Sequence, residues 1–281
     1  MSSHPRLCII TAFPAESRPV RKHFQLRRED HAALPYPLYR SEHCVLIECG
    51  LGKLRAVAAT ASLLACHPSI RAALNVGIAG GAAPLGSCQL AHAVTDRASN
   101  RCWYPDLPPQ RLLPGVDDHT LVETVDTPDA HYQEDRHFDM EAAGVFSAAV
   151  PVLGTAGVQC LKIVSDGPQA PIEHIDKNAV SELIEQQLSP IRAMVDCLLA
   201  RQEPARDHNS RVNTATQNLI DTTGRHSTSE RHRLHALLSR HLALHDTLPS
   251  ATALGTPRTA AMLADRLHTL VYRPLVAEDQ I

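Results

Sequence analysis

Along residues 1–202, short apolar runs closed by glycine or proline alternate with stretches that suit a helix. Arg6–Thr11 (RLCIIT) is a strand-like run with a β-branched centre, followed by a Pro-containing turn and a helical segment over Ala15–Phe24. Cys44–Cys49 repeats the unit, closed by Gly50-Leu-Gly52 and followed by the Ala- and Leu-rich stretch Lys53–Cys66. Ala72–Ile78 leads into Gly80-Gly81, and Leu90–Thr95 and Val158–Ser165 read as further strands. A helix is expected to start near Met140, and Asn178–Arg201 is expected to be the longest helix. Strands that are apolar throughout, rather than alternately, belong to a sheet covered on both faces. The expected fold is α/β: a single mixed, largely parallel sheet flanked by helices.

The pattern changes near Gln202. Residues 203–226 are polar and read as a linker without apolar period, and 227–281 as a small helical C-terminal appendage. Ser227-Thr-Ser-Glu230 has capping-box spacing, and Leu234, Leu237, Leu238 and Leu242 follow at helical intervals. A second helix is expected over Pro257–Val271, with Leu263, Leu267 and Leu270 on one face.

Composition narrows the function classes. Aromatics are only 4 %, so the core must be mostly aliphatic, and a net charge of -3 asks for no polyanionic partner. The ten arginines from Arg201 to Arg273 are offset by eight acids between Glu203 and Asp279, so a nucleic-acid role is unsupported. The eight cysteines form no C-x-x-C pair and read as buried thiols of a reducing compartment. Leu7–Phe13 is too short for a secretory signal, and Pro151, Gly144, Gly154 and Gly157 interrupt the apolar run Ala142–Val158. A cytoplasmic protein without membrane contact is expected. His232 with His235, and His241 with His245, have metal-compatible spacing but no accompanying carboxylate or thiol set, so they read as a solvated helix face and no metal is expected.

Three constellations sit at expected strand ends, where α/β sheets place ligands. Thr11-Ala-Phe-Pro-Ala-Glu16 puts a carboxylate in a strand-to-helix turn; a solvated acid favoured by the helix dipole is the structural alternative. Asn75-Val-Gly-Ile-Ala-Gly-Gly81 lets backbone N–H groups approach a ligand, or simply makes a tight turn. It lacks G-x-G-x-x-G spacing, and no phosphate-binding P-loop occurs, so no nucleotide cofactor is expected. Phe138-Asp-Met-Glu-Ala-Ala-Gly144 pairs with Leu161-Lys-Ile-Val-Ser-Asp166. A carboxylate ending a buried strand is costly unless it is hydrogen-bonded or does chemistry.

Together these segments resemble the nucleoside phosphorylase superfamily, most closely its hydrolytic branch of methylthioadenosine/S-adenosylhomocysteine nucleosidases and futalosine hydrolases. Over about residues 6–200, four features stand in the family's order: Glu16, Gly50-Leu-Gly-Lys53, Gly77-Ile-Ala-Gly-Gly81, and Asp139-Met-Glu141 followed by Ser165-Asp166. The resemblance implies hydrolysis of the N-glycosidic bond of a purine-type nucleoside, by a cofactor-free homodimer. It implies that Asp166 protonates N7 of the base, that Glu16 activates water, and that Glu141 holds the ribose hydroxyls with Met140 against the sugar. Ile78, Gly80 and Ser165 complete the expected substrate contacts. Ile78 stands where the family commonly has Ser, and Lys162 where it commonly has Arg. Trp103, Tyr104 and Tyr132 are the aromatics available before Phe138 to stack on a base, or to pack.

Two other readings stay open. A phosphorylase would need a basic cluster at the ribose, for which Arg18, Arg21 and Lys22 are the candidates, though surface helices usually carry such charges solvated. A nucleoside sensor with a partner-binding tail would not need Glu16, Glu141 and Asp166 together.

Overall fold

The computed structural model describes residues 4–170, 176–223, 227–245, 247–255 and 259–272. It divides into two compact units, Met1–Ala200 and Arg201–Ile281. The first opens with β1 (Leu7–Thr11), α1 (Pro14–His23), β2 (Arg27–Glu29), β3 (Leu38–Arg40), β4 (Cys44–Glu48) and α2 (Lys53–Cys66). It continues with β5 (Ala72–Gly80), β6 (Cys88–Asp96), β7 (Arg101–Trp103), β8 (Asp118–Thr124), β9 (Arg136–Asp139), α3 (Ala142–Leu153) and β10 (Val158–Asp166). Helices α4 (Lys177–Gln186) and α5 (Leu188–Thr223) follow.

All ten strands form one mixed sheet in the order β10-β6-β8-β9-β5-β1-β4-β3-β2, with β7 beside β6. The long ladders are parallel: β1 with β4 and β5, β5 with β10, and β6 with β8. β10 bonds both β5 and β6, so five strands close into a ring within the sheet. A register shift between Val164 and Asp166 lies on that seam, and such irregularities sharpen local twist.

The expected burial of both faces holds, because side chains alternate along a strand. Leu7 and Ile9 of β1 join a core with Val20 of α1, Val180 and Ile184 of α4, and Ile191 and Met194 of α5. Cys8 and Ile10 join the opposite core with Ala59 and Leu63 of α2 and Phe146 of α3. Fully burying one Leu, Ile or Phe contributes about 1.5–3 kcal/mol. The stretch expected as one helix over Asn178–Arg201 is broken at Gln187. Pro190 explains the break: it lacks an N–H, and its ring would clash with the Gln186 carbonyl in a continuous helix.

The linker expected over 203–226 needs correction, because α5 remains helical to Thr223. Val212, Thr216 and Ile220 recur at helical spacing and are buried, a stripe too sparse to stand out among polar neighbours. In the second unit α6 (Thr228–His245), α7 (Ala251–Leu254) and α8 (Ala260–Tyr272) follow. The capping box forms as expected: the Ser227 hydroxyl accepts from Glu230 N (3.2 Å), while Glu230 Oε2 accepts from Ser227 N (2.8 Å). Val212, Leu234, Leu238, Leu242, Leu263 and Leu267 make a separate aliphatic core. Pro257, the expected start of the last helix, lies outside the described residues. Among the described residues, no helix is long and apolar enough to cross a membrane.

Candidate active site

Parallel strands β1, β4, β5 and β10 end at Thr11, Glu48, Gly80 and Asp166, so the segments that follow them emerge at one edge of the sheet. β9 pairs with this edge through Phe138 opposite Gly80 and delivers Asp139-Met-Glu141 there. Every sequence-derived candidate therefore comes from this edge or the β9–α3 turn beside it.

Glu16 lies in the first turn of α1, whose entry suits Pro14 because a proline's missing N–H costs nothing there. Its side chain is buried rather than solvated: Oε2 accepts from Ala12 N (2.7 Å) and Oε1 from Ile78 N (3.0 Å). The carboxylate thus ties the β1 turn to β5. Its approach requires glycine at 77, where a Cβ would lie 2.6 Å from Oε1. Burial raises the Glu16 pKa against the opposing pull of Lys162 and the backbone donors.

Asp166 is buried at the end of β10 with both oxygens engaged. The Ser165 hydroxyl donates to Oδ1 (2.5 Å), with Ala79 O as its alternative acceptor at 3.4 Å. The Tyr132 hydroxyl donates to Oδ2 (2.9 Å). Gly80 makes room here, since a Cβ would sit 2.6 Å from Oδ2 and 3.2 Å from Tyr132 Cε1.

Glu141 is the residue just before α3 and is 7 % exposed. Its Oε1 accepts from Gly52 N (2.7 Å), which explains Gly50-Leu-Gly-Lys53: Gly50 and Gly52 take φ of 84° and 98°, turning that N–H toward the acid. Lys53 then anchors the turn on Asp96 (2.5 Å) and Asp126 (3.2 Å). Burial, followed by the charge of Asp139, pushes the Glu141 pKa up to about 7.

Asp139 and Lys162 form a buried ion pair at 2.8 Å. Asp139 Oδ2 also accepts from Glu141 N (3.2 Å) and Ala142 N (2.7 Å), capping α3, while the Thr124 hydroxyl donates to Oδ1 (2.6 Å). Burial pulls the Lys162 pKa down, yet Asp139, Glu141 and Glu16 outweigh it and raise the value. Lys162 is therefore a fixed positive charge among acids, and its field lowers the pKa of both Glu16 and Glu141.

Ile78 and Ser165 meet the acids directly, Gly80 abuts Asp166, and Met140 is half-buried between Asp139 and Glu141. Sequence reasoning gave no role to the Lys162–Asp139 pair or to the Tyr132 hydroxyl. A lysine inside the apolar run Val158–Ser165 was the available signal for the first. The second depends on the path of a loop. Trp103 packs on the core of α2 and α3, and Tyr104 is 67 % exposed, so neither approaches this edge through a described contact. Burial holds the thiols of Cys8, Cys49, Cys88 and Cys160 at about 12, unsuited to act as nucleophiles.

No family model and no curated protein matches the chain. Solved structures do. The Helicobacter pylori 5'-methylthioadenosine/S-adenosylhomocysteine nucleosidase with butyl-thio-DADMe-Immucillin-A aligns with a TM-score of 0.58 at 13 % identity, over 69 % of this chain and 98 % of that one. Apo Arabidopsis thaliana 5'-methylthioadenosine nucleosidase gives 0.59 at 17 % identity, over 69 % and 96 %. Futalosine hydrolase of Helicobacter pylori gives 0.57 at 13 % identity, over 68 % and 97 %. The chain thus carries, over about two thirds of its length, the α/β fold shared by these nucleosidases and futalosine hydrolase.

Proposed function

We propose that the chain is a cofactor-free N-ribosyl hydrolase that cleaves the glycosidic bond of a purine-type nucleoside into base and ribose. The observation that carries this reading is the set of three buried carboxylates, Glu16, Glu141 and Asp166, each held by hydrogen-bond donors at one sheet edge. Burying acids this way is costly and is found where chemistry needs them. As the C1′–N9 bond breaks, positive charge grows on the sugar and negative charge on the base. Asp166 delivers its proton to N7, Glu141 holds the ribose hydroxyls with Met140 against the sugar, and water attacks C1′ while giving a proton to Glu16. Glu16, with its raised pKa, is suited to take that proton. Ile78, Gly80 and Ser165 border the substrate. The names of the similar structures, 5'-methylthioadenosine/S-adenosylhomocysteine nucleosidase and futalosine hydrolase, agree with this substrate class. A homodimer in the cytoplasm belongs to the same reading.

Water is preferred to phosphate as nucleophile because Glu16 and Glu141 would repel a phosphate dianion. Arg18, Arg21 and Lys22 line a surface groove with Arg27, Arg28 and Tyr39, and Arg21 pairs with Glu48. The test is a base-release screen over adenosine, methylthioadenosine, adenosylhomocysteine, deoxyadenosine and inosine, with and without phosphate. Free ribose sugar at rates independent of phosphate is expected; a phosphate-dependent sugar phosphate product would overturn the assignment.

A further inference from the structure

Tyr132 sits on the β8–β9 connection, and that connection is pinned on both sides of it. Upstream, Asp129 is paired with Arg97 (2.5 Å), which also binds Glu123 (2.8 Å) and lies over the Phe138 ring at 4.9 Å. Downstream, Gln133 and Arg136 form an antiparallel bridge that folds the chain back into β9. The Arg97 contacts hold Asp129 well down, at about 2, so this anchor persists across the physiological range.

The ring is half-buried, and its hydroxyl points at the buried oxygen of Asp166 that Ser165 does not occupy. The Tyr132 ring edge also crowds this oxygen, since a Cβ placed at Gly80 would lie 2.6 Å from Oδ2 and 3.2 Å from Tyr132 Cε1. A base reaching Oδ2 from this side must therefore displace the Tyr132 phenol. The Ser165 hydroxyl comes from the adjacent residue in a buried strand and engages the other oxygen, Oδ1. The Tyr132 hydroxyl comes instead from the connection between β8 and β9, outside the strands.

We propose that Tyr132 is a specificity-determining residue whose hydroxyl keeps Asp166 Oδ2 occupied in the empty site and yields it only to a base edge that competes for that oxygen. The proposal rests on the reading of Asp166 as the group that faces the base. It makes recognition an exchange of hydrogen bonds: a base with a donor or protonatable nitrogen at the right place regains the lost bond, and an apolar ring does not. The penalty for the wrong ligand is a buried carboxylate oxygen left unpaired.

The test is Tyr132→Phe in the full chain, which keeps the ring and removes only the competing hydroxyl. Adenine and hypoxanthine binding are measured by calorimetry, alongside KM for whichever nucleoside the wild type cleaves. A hydrogen bond to a charged group is strong enough that its removal should tighten the better-bound base, and lower KM, by about tenfold. Asp129→Asn, which loosens the connection without touching Tyr132, should shift affinity in the same direction by a smaller factor, and it serves if Tyr132→Phe folds poorly. A purely structural Tyr132 would change the melting temperature and leave base affinity alone. Unchanged or weaker base binding in Tyr132→Phe overturns the exchange and leaves the nucleosidase reading standing. Absence of binding of both bases by wild type and variant overturns the assignment of Asp166 to the base, and the exchange with it.

Discussion

The two compact units bury different kinds of group. The first encloses Glu16, Asp139, Glu141, Lys162 and Asp166; the second, among its described residues, encloses only aliphatic side chains with Thr216 and His241 as buried polar groups. Both polar groups of the second unit find local backbone acceptors, Val212 O for Thr216 (2.7 Å) and Thr247 O for His241 (3.0 Å). Taking a charge out of water costs several kcal/mol, which the aliphatic cores of the first unit must offset. On the proposed nucleosidase reading that cost serves chemistry in the first unit, whereas the described residues of the second are buried in packing.

The contrast is tested most severely at Asp166. Asp166→Asn preserves an acceptor oxygen but removes the transferable proton, so kcat for base release should fall about 100- to 10,000-fold with little change in KM. Glu16→Gln should also lower kcat strongly, while Glu141→Gln should raise KM as well because charge-assisted bonds to the ribose are lost. Circular dichroism separates these effects from unfolding. Near wild-type turnover in Asp166→Asn would place the acid elsewhere.

Lys162→Met should be the most damaging change to stability. It strands Asp139 without its cation, and breaking a buried pair costs about 3–5 kcal/mol, read as a lower urea midpoint. Lys162→Arg, keeping the charge, should recover part of the loss. A stable Lys162→Met protein would show that the pair is dispensable to the fold.

The raised pKa of Glu141 makes stability depend on pH. The folded state binds this proton more tightly than the unfolded chain, so the Glu141 contribution declines as pH rises from 4.5 through about 7 and is level above. Glu141→Gln should flatten that slope. Denaturant midpoints at about pH 5 and about pH 8 measure it, and an unchanged slope would assign the proton to another group.

Changes in the second unit should be smaller and silent in the base-release assay. Ser227→Ala removes the α6 cap and should cost about 1 kcal/mol without altering turnover. Removal of the chain after Ala200 should leave a cooperative melt and the same base release, since both cores and all proposed site residues precede that point. Loss of either would show that the units depend on one another.

Strong local patterns made most of the first unit legible. β1, β4, β5 and β10 are dominated by apolar residues, and the Ser227–Glu230 cap needs only residues three apart. β8 escaped notice although Thr120, Val122 and Thr124 alternate with more exposed positions, because two of the three inward residues are polar. The helical course of 203–223 escaped for the converse reason, its inward stripe of Val212, Thr216 and Ile220 being too thin against polar surroundings.

By itself the sequence determined the α/β alternation, the strand ends that carry Glu16, Glu141 and Asp166, and the appendage helices of the second unit. Periodicity and glycine placement are properties of neighbouring residues. Tertiary structure alone decided that the sheet closes through β10, that Lys162 is buried against Asp139 and that Tyr132 reaches Asp166. Each of these joins residues at least 23 positions apart, as with Lys162 and Asp139, and the distance and burial that give such a pair its energy exist only once the chain has folded.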